Sequence, residues 1–314
     1  MLLIVTNRDD HTADWLITEL HRRDARFVRV NTEDYPTAVK LRWTSDGAAQ
    51  LLSDAHELDL AEVSAVWYRR PVPPMLSNSL SVEQARWAQA EAHEALEGVW
   101  RSLDARWVNH PDRNGPASSK PAQLRVAQRV GFEVPETLMT NDPVAARDFV
   151  ARQAGGAVVK PLRSGRLSVG GEERLFFTTR LTAGQAPFER LGGEPYLFQA
   201  HIDKVADVRV TVIGDEALAV RIKSQEEEDT RTDFRRIDPT RLRHEPFQLP
   251  EDVELRCVAL VQDFGCLFGA LDLAERSDGS FVFFENNPSG QWAWIEQLTG
   301  LPLRMCLADL LMAP

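Results

Sequence analysis

Cysteine is nearly missing from this chain of 314 residues: Cys257, Cys266 and Cys306 lie in apolar surroundings with no CxxC spacing. That excludes a disulfide framework and a cysteine zinc site, and it suits a reducing cytoplasm. Long apolar runs are missing too. None approaches the roughly 20 residues that a membrane crossing needs, and the start MLLIVTNRDD has neither the basic head nor the cleavage site of a secretory signal. Positive charge is also in deficit, with a formal net charge of −11. A nucleic-acid partner would demand a basic face against its phosphates. The chain contains no GxxxxGK phosphate loop, no HExxH pair and no Ser/His/Asp order, which removes the commonest NTPase, zinc-protease and serine-hydrolase readings. The expectation is a cytoplasmic protein without a membrane or nucleic-acid partner. The oligomeric state is not set, and a homodimer is compatible with the sequence.

What is present fits an enzyme. With 43% apolar and 26% charged residues, the chain is ordinary in composition and long enough for two or three lobes. Its first third alternates strand and helix signals: LLIVTNR, a helix near residues 14–23, ARFVRVN, then AVWYRRP before a long Ala/Glu/Gln-rich helix. This predicts a small parallel α/β domain over residues 1–110. A middle lobe, 111–195, opens with a Pro-, Gly-, Ser- and Asn-rich connection over residues 111–121. The helix SKPAQLRVAQRVG follows, with Ser119 as cap, Pro121 in the first turn and Gly131 as terminator. Then come EVPETLMT, a second helix, the strand AVVKPL and a glycine-containing basic segment, RSGRLSVGGEERLFFTTR, expected as a hairpin or loop. Residues 196–314 mix strands and helices in the α+β manner, with two candidate hairpins, VRVTVIGDEALAVRIK and GALDLAERSDGSFVFFENN.

In the second hairpin the dipeptide Asp278-Gly279 signals a two-residue turn. If Ser277 faces Ser280, counting outward sets Asp272 opposite Glu285, and Asn287 falls on the same face about 7 Å further on. Directly opposed carboxylates repel unless a divalent cation sits between them, and oxygen-only ligands suit Mg²⁺. A solvated strand end has the same local pattern. In the first hairpin a three-residue loop at residues 214–216 pairs Asp207 with Lys223, Arg209 with Arg221 and Thr211 with Ala219. Val208, Val210, Val212, Val220 and Ile222 then fill the other face. Opposed arginines need an anion between them, and phosphate is a natural one. Lys160 follows an apolar run and precedes Pro161, so its ammonium is expected at a strand end, where lysine can hold phosphate as a point charge. Lys120 begins a helix, where the dipole disfavours a cation unless an anion is near. The link YLFQAHI offers backbone edges to an adenine, and His201 within it has the setting of a surface or interlobe histidine rather than a base.

The order of these features resembles the ATP-grasp ligases over nearly the whole chain: Lys160 before a glycine-containing loop, YLFQAHI, DVRVTVIG, AVRIK, then LDLA and FENNPSG. Within them, AVWYRRP and ENNPSGQW look like the peptide maturases of the microviridin or graspetide group, which link side chains of a ribosomally made precursor into macrocycles. The resemblance implies a three-lobe α/β and α+β ATP-grasp fold that uses ATP and Mg²⁺. It implies that Lys120 and Lys160 hold phosphates, and that Gln199, Ala200, His201 and Ile202 lie along the adenine. Asp207 and Lys223 then belong to the nucleotide site, and Arg209 and Arg221 face the polyphosphate together with Lys160. Asp272, Glu285 and Asn287 bind magnesium. Arg69, Arg70, Asp233 and Arg235 face the precursor peptide, with Phe234 where the family usually carries Trp. The implied chemistry is activation of an Asp or Glu side chain as an acyl phosphate, followed by attack of a Thr or Ser hydroxyl or a Lys amine. The glycine-rich segment 163–174 is expected to close over the site. An amino-acid or glutamate ligase shares every nucleotide residue, and a non-catalytic ATP-binding regulator is the competing class.

Overall fold

The computed structural model describes residues 1–53, 57–77, 79–163, 165–169, 172–181, 188, 191 and 193–313, with only the backbone given at 166–169 and 173. Ser164, Gly170 and Gly171 of the expected lid therefore lie outside the described residues.

The strand Leu2–Thr6 is buried along its whole length, the mark of a parallel strand covered on both faces. It is an inner strand of a parallel sheet ordered Phe27–Asn31, Leu2–Thr6, Ala65–Tyr68, Arg106–Val108. Alternate residues serve opposite faces. Leu2 and Ile4 meet Leu16 and Leu20 of the helix His11–Arg22, whereas Leu3 and Val5 meet Leu96 and Val99 of the helix Val82–Arg101. Caps fix both helix starts: Asp10 accepts the N–H groups of Thr12 and Ala13, and Ser81 with Gln84 forms a capping box.

The middle sheet is antiparallel, ordered Thr179–Leu181, Ala157–Lys160, Tyr196–Ala200, Thr137–Thr140. The helix Pro143–Arg152 backs it through Ala146, Phe149 and Val150. The glycine-containing segment forms a hairpin, Arg166–Val169 against Glu172–Leu175. Two segments pack outside the lobes that composition assigned them. Tyr196–Ala200 pairs in this middle sheet. Residues 111–121, expected as a connection, hold a helix Pro111–Ser118, because proline is at home in a first turn and His110 Nδ1 accepts the Asp112 N–H at 3.2 Å. With the helix Lys120–Arg129 it packs on the C-terminal sheet, where Ala117, Val126, Ala127 and Phe132 join Val208 and Val210.

That C-terminal sheet is antiparallel and five-stranded, ordered His244–Phe247, Glu216–Ile222, Ala206–Ile213, Phe268–Glu275, Phe281–Asn287. One face, with Val208, Val210, Leu271 and Leu273, rests on the helix Glu251–Asp263. The other carries Ile213, Phe268 and Ala270 into the core shared with the N-terminal sheet. Asn109 fastens the two sheets. Its Nδ2 donates to the carbonyls of Phe268 (2.8 Å) and Pro288 (3.0 Å), and its Oδ1 accepts the N–H groups of Leu267 and Phe268.

Both hairpin registers differ from the sequence count. In the second, Arg276 N–H donates to Ser280 O at 2.9 Å and Gly279 N–H to Arg276 O at 3.0 Å, so the loop has three residues and Glu275 pairs with Phe281. Gly279 takes φ +82°, which a non-glycine residue reaches only with strain. A bulge beyond Leu273 then leaves Phe284 without a cross-strand partner and restores Asp272 opposite Glu285. Two shifts of one residue cancel. In the first hairpin nothing cancels. The turn is Gly214-Asp215 with Ile213 opposite Glu216, so Arg209 pairs with Val220 and Arg221 with Val208. The expected pairs Arg209–Arg221 and Asp207–Lys223 do not form, because a loop one residue shorter moves every second-strand side chain to the other face.

Candidate functional site

A cleft opens between the middle sheet and the polar end of the C-terminal sheet. Lys160, Gln199, Ala200, His201, Ile202, Asp207, Asp233, Arg235, Asp272 and Glu285 all line it. Lys120 and Arg209 border it through their partners. The Lys120 ammonium, at the start of its helix, is bonded to Glu285, and Arg209 Nη1 donates to Asp272 Oδ1 at 2.8 Å. Asn287 shares the face of Asp272 and Glu285, pairs with Ala270 and accepts the Ser289 N–H on its own side-chain oxygen at 3.0 Å.

Charge in the cleft is unevenly solvated. Burial pushes the Lys160 ammonium down to about 8, with Glu285 pulling the other way. Burial alone would raise the Glu285 carboxyl, but Lys120, Lys160 and Arg235 outweigh it and hold the group well below the usual carboxylate range. Asp207 is shifted up by burial, against the Lys204 ammonium 2.6 Å away. Its Oδ2 is buried without a hydrogen bond of good geometry among the described residues, although the nearby Ser224 side chain lowers the group slightly. His201, whose buried Nδ1 lies 3.4 Å from Asp203 Oδ1 without a hydrogen bond of good geometry, is shifted down by burial.

Those orphaned atoms bear on which ligands the cleft suits. A buried acceptor on Asp207 fits a ligand hydroxyl, and Lys120 with Lys160 fits phosphate. The donor set Asp272, Glu285 and Asn287 is all oxygen, the chemistry of a hard divalent cation. Among the described residues no three His, Cys, Asp or Glu side chains cluster, so an amide oxygen would have to be the third protein donor. The loop after Asn287 is shaped by close approach. A Cβ on Gly290 would lie 2.3 Å from Ala270 Cβ and 2.8 Å from Arg209 Nη2.

Four expected residues are elsewhere. Arg221 and Lys223 lie on the opposite face of the sheet. The Arg221 guanidinium stacks 4.1 Å from the Phe247 ring centroid and donates to Glu275 at 2.8 Å, while Lys223 lies 3.1 Å from Glu245. Arg69 is 2% exposed and is bonded to the Ser289 carbonyl, to which Arg70 also donates at 3.3 Å. Burial pushes the Arg69 guanidinium down to about 9, with Asp10 opposing. This arginine supports the Pro288–Gly290 turn from inside, so it does not present itself to a peptide. Gln199 lines the cleft, but its amide is used on Thr137 Oγ1 at 3.0 Å.

The cleft also holds residues that sequence reasoning missed: Thr178, Lys204, Arg231 and Phe284. The Lys160 and Lys204 ammoniums each lie 5.7 Å from the Phe284 ring centroid. Only the bulge turns Phe284 to the same side as Glu285, and strict alternation hides it. Lys204 had a signal, since it stands three residues before Asp207 in the same polar link. Asn286 faces away from the cleft and is 4% exposed. Its backbone is held by Gln123, which accepts the Asn286 N–H at 3.0 Å and donates to its carbonyl at 2.6 Å.

The model of the MvdD pre-ATP grasp domain matches residues 1–114. None of the curated proteins matches the chain. Solved structures match its whole length. A RiPP-associated ATP-grasp ligase of Chryseobacterium gregarium, in complex with ADP and a leader and core peptide, is 28% identical with a TM-score of 0.90, covering 100% of this chain and 97% of its own. The macrocyclase MdnC of Microcystis aeruginosa MRC, bound with precursor peptide MdnA, is 27% identical with a TM-score of 0.87, covering 100% and 99%. Macrocyclase MdnB of the same organism is 29% identical with a TM-score of 0.81 and the same coverage.

Proposed function

We propose that this chain, an ADP-forming ATP-grasp ligase of the microviridin or graspetide type, activates Asp or Glu side chains of a ribosomally made precursor peptide and joins them to Thr or Ser hydroxyls, or to Lys amines, within the same peptide. One observation carries the reading. The phosphate- and metal-suited side chains Lys160, Asp272 and Glu285 line a single cleft with Arg231, Thr232 and Arg235 of the 224–241 segment, so nucleotide chemistry and a peptide-facing loop share one space.

ATP lies along Gln199, Ala200, His201 and Ile202, with Asp207 accepting a ribose hydroxyl and Lys120 and Lys160 holding phosphates. Lys120 exchanges its bond to Glu285 for one to phosphate. Asp272, Glu285 and Asn287 hold Mg²⁺, which when bound neutralises charge on the phosphates. A peptide carboxylate oxygen attacks the γ-phosphorus, and the bond from that phosphorus to the bridging oxygen of ADP breaks. Lys160 and Arg209 stabilise the negative charge around this transfer. A peptide hydroxyl oxygen or amine nitrogen then attacks the acyl carbon, the carbon–oxygen bond to phosphate breaks, and the nucleophile's proton leaves with the phosphate or to solvent. Incubating the protein with ATP, Mg²⁺ and an acidic Thr- and Glu-rich peptide is expected to release one ADP and remove one water from the peptide mass per ring. Consumption of ATP with the peptide left unmodified contradicts the reading.

A further inference from the structure

Asp233 lines the cleft, and the sequence resemblance placed it against the peptide, yet its carboxylate is already filled. The residue is 5% exposed. Its Oδ1 accepts the Arg235 N–H at 3.1 Å and Arg235 Nε at 2.8 Å, and its Oδ2 accepts Arg235 Nη2 at 2.7 Å and the Thr178 N–H at 2.9 Å. Four donors occupy the two oxygens, and a peptide group would have to displace one of them. The neighbouring Arg236 grips the other side of the same Thr178 residue. Its Nη2 donates to the Thr178 carbonyl at 3.0 Å and to Thr179 Oγ1 at 3.3 Å, and its guanidinium lies 5.3 Å from the Phe177 ring centroid.

Thr178 immediately precedes the edge strand Thr179–Leu181, which pairs with Ala157–Lys160 in the register Thr179 opposite Val159. The contact is therefore a clasp between two parts of the molecule. On one side is the sheet from which Lys160 enters the cleft; on the other is the loop that carries Arg235. Arg235 presents one edge of its guanidinium to Asp233, and its Nη1 has no hydrogen bond among the described residues.

We infer that Asp233 is a positioning residue: with Arg236 it fastens the Thr178 edge of the middle sheet to the loop 233–236 and sets Arg235 across the cleft from Lys160, leaving Nη1 to receive a carboxylate of the peptide. This rests on the proposed function for the identity of that anion, but the clasp itself does not. An Arg with one edge fixed by a buried carboxylate offers its remaining donors at little cost in side-chain ordering.

The test compares D233N, R235K, the double variant and R236Q. Asparagine keeps the shape of Asp233 but replaces one acceptor oxygen with a donor, so the two-pronged bond to Arg235 is lost. In hydrogen exchange, amides of residues 178–181 are expected to exchange at least tenfold faster in D233N, and to a smaller degree in R236Q. With an acidic Thr- and Glu-rich peptide, D233N is expected to raise the peptide KM at least tenfold. Its affinity for a fluorescent ADP analogue stays within threefold of wild type, which also reports that the variant is folded. Added to R235K, D233N costs less than a further twofold, because both act through one guanidinium. Exchange at 178–181 like wild type, or losses from D233N and R235K that multiply, overturns the clasp. Should D233N not fold, R236Q carries the exchange test alone, and unchanged exchange there has the same meaning. A wild-type protein that releases no ADP in response to peptide, with exchange raised in D233N, refutes the proposed function and leaves the clasp standing.

Discussion

The two faces of the C-terminal sheet carry nearly the same chemistry to opposite ends. On one, Arg209 pairs with Asp272 at 2.8 Å beside Glu285 and Lys120. On the other, Arg221 pairs with Glu275 at 2.8 Å beside Glu245 and Lys223. Both have an arginine bonded to a carboxylate across strands. The first set adjoins the cleft, whereas the second lies over Phe247, which stacks on Phe281. A list of charged residues does not separate them. What separates them is the strand register, and one residue of loop length decides which face a side chain joins.

The sharpest way to break the comparison is to remove the cleft carboxylate. E285Q is expected to lower turnover about 100-fold or more, in line with loss of a group that stabilises transition-state charge, while thermal unfolding shows an intact fold. Next is the paired contrast. R209M should lose about 100-fold in kcat/KM. R221M should change it less than threefold and instead lose about 1–2 kcal/mol of stability, from the partly buried ion pair and the ring contact. If R221M were the more damaging to catalysis, the two faces would have been assigned the wrong way round.

The smallest effect sharpens the contrast through pH. The Lys160 ammonium titrates at about 8; it is charged below that value and neutral above it, and a phosphate ligand favours the charged form. Nucleotide affinity should therefore be level below pH 8 and fall above it by up to about tenfold per unit. K160R keeps its charge and should flatten the profile, as read by titration with a fluorescent ADP analogue.

Much of this was legible in the sequence, for identifiable reasons. Continuous apolar runs such as Leu2–Thr6 and alternating ones such as Ala206–Ile213 declare strands by their burial needs. Lys160 was visible because Pro161 ends its strand. Counting from a two-residue turn sets Asp272 opposite Glu285 only because the bulge at Phe284 offsets the extra residue of the real loop. Bulges and loop lengths depend on tertiary packing, which local pattern does not encode, and the same kind of count misplaced Arg221. Arg69 reads as a strand-end arginine, and only the assembled lobes show it buried under Ser289. Asp233 was found by resemblance, but its saturation by Arg235 and Thr178 depends on a contact across 55 positions of sequence.

The central claim is that the cleft converts a peptide carboxylate into an acyl phosphate before bond formation. Its most direct test uses an acidic Thr- and Glu-rich peptide whose side-chain carboxylates carry heavy oxygen. After reaction with ATP and Mg²⁺, the inorganic phosphate is analysed by mass spectrometry. One heavy oxygen is expected in phosphate for every ring formed. Rings formed with phosphate free of label would contradict the claim.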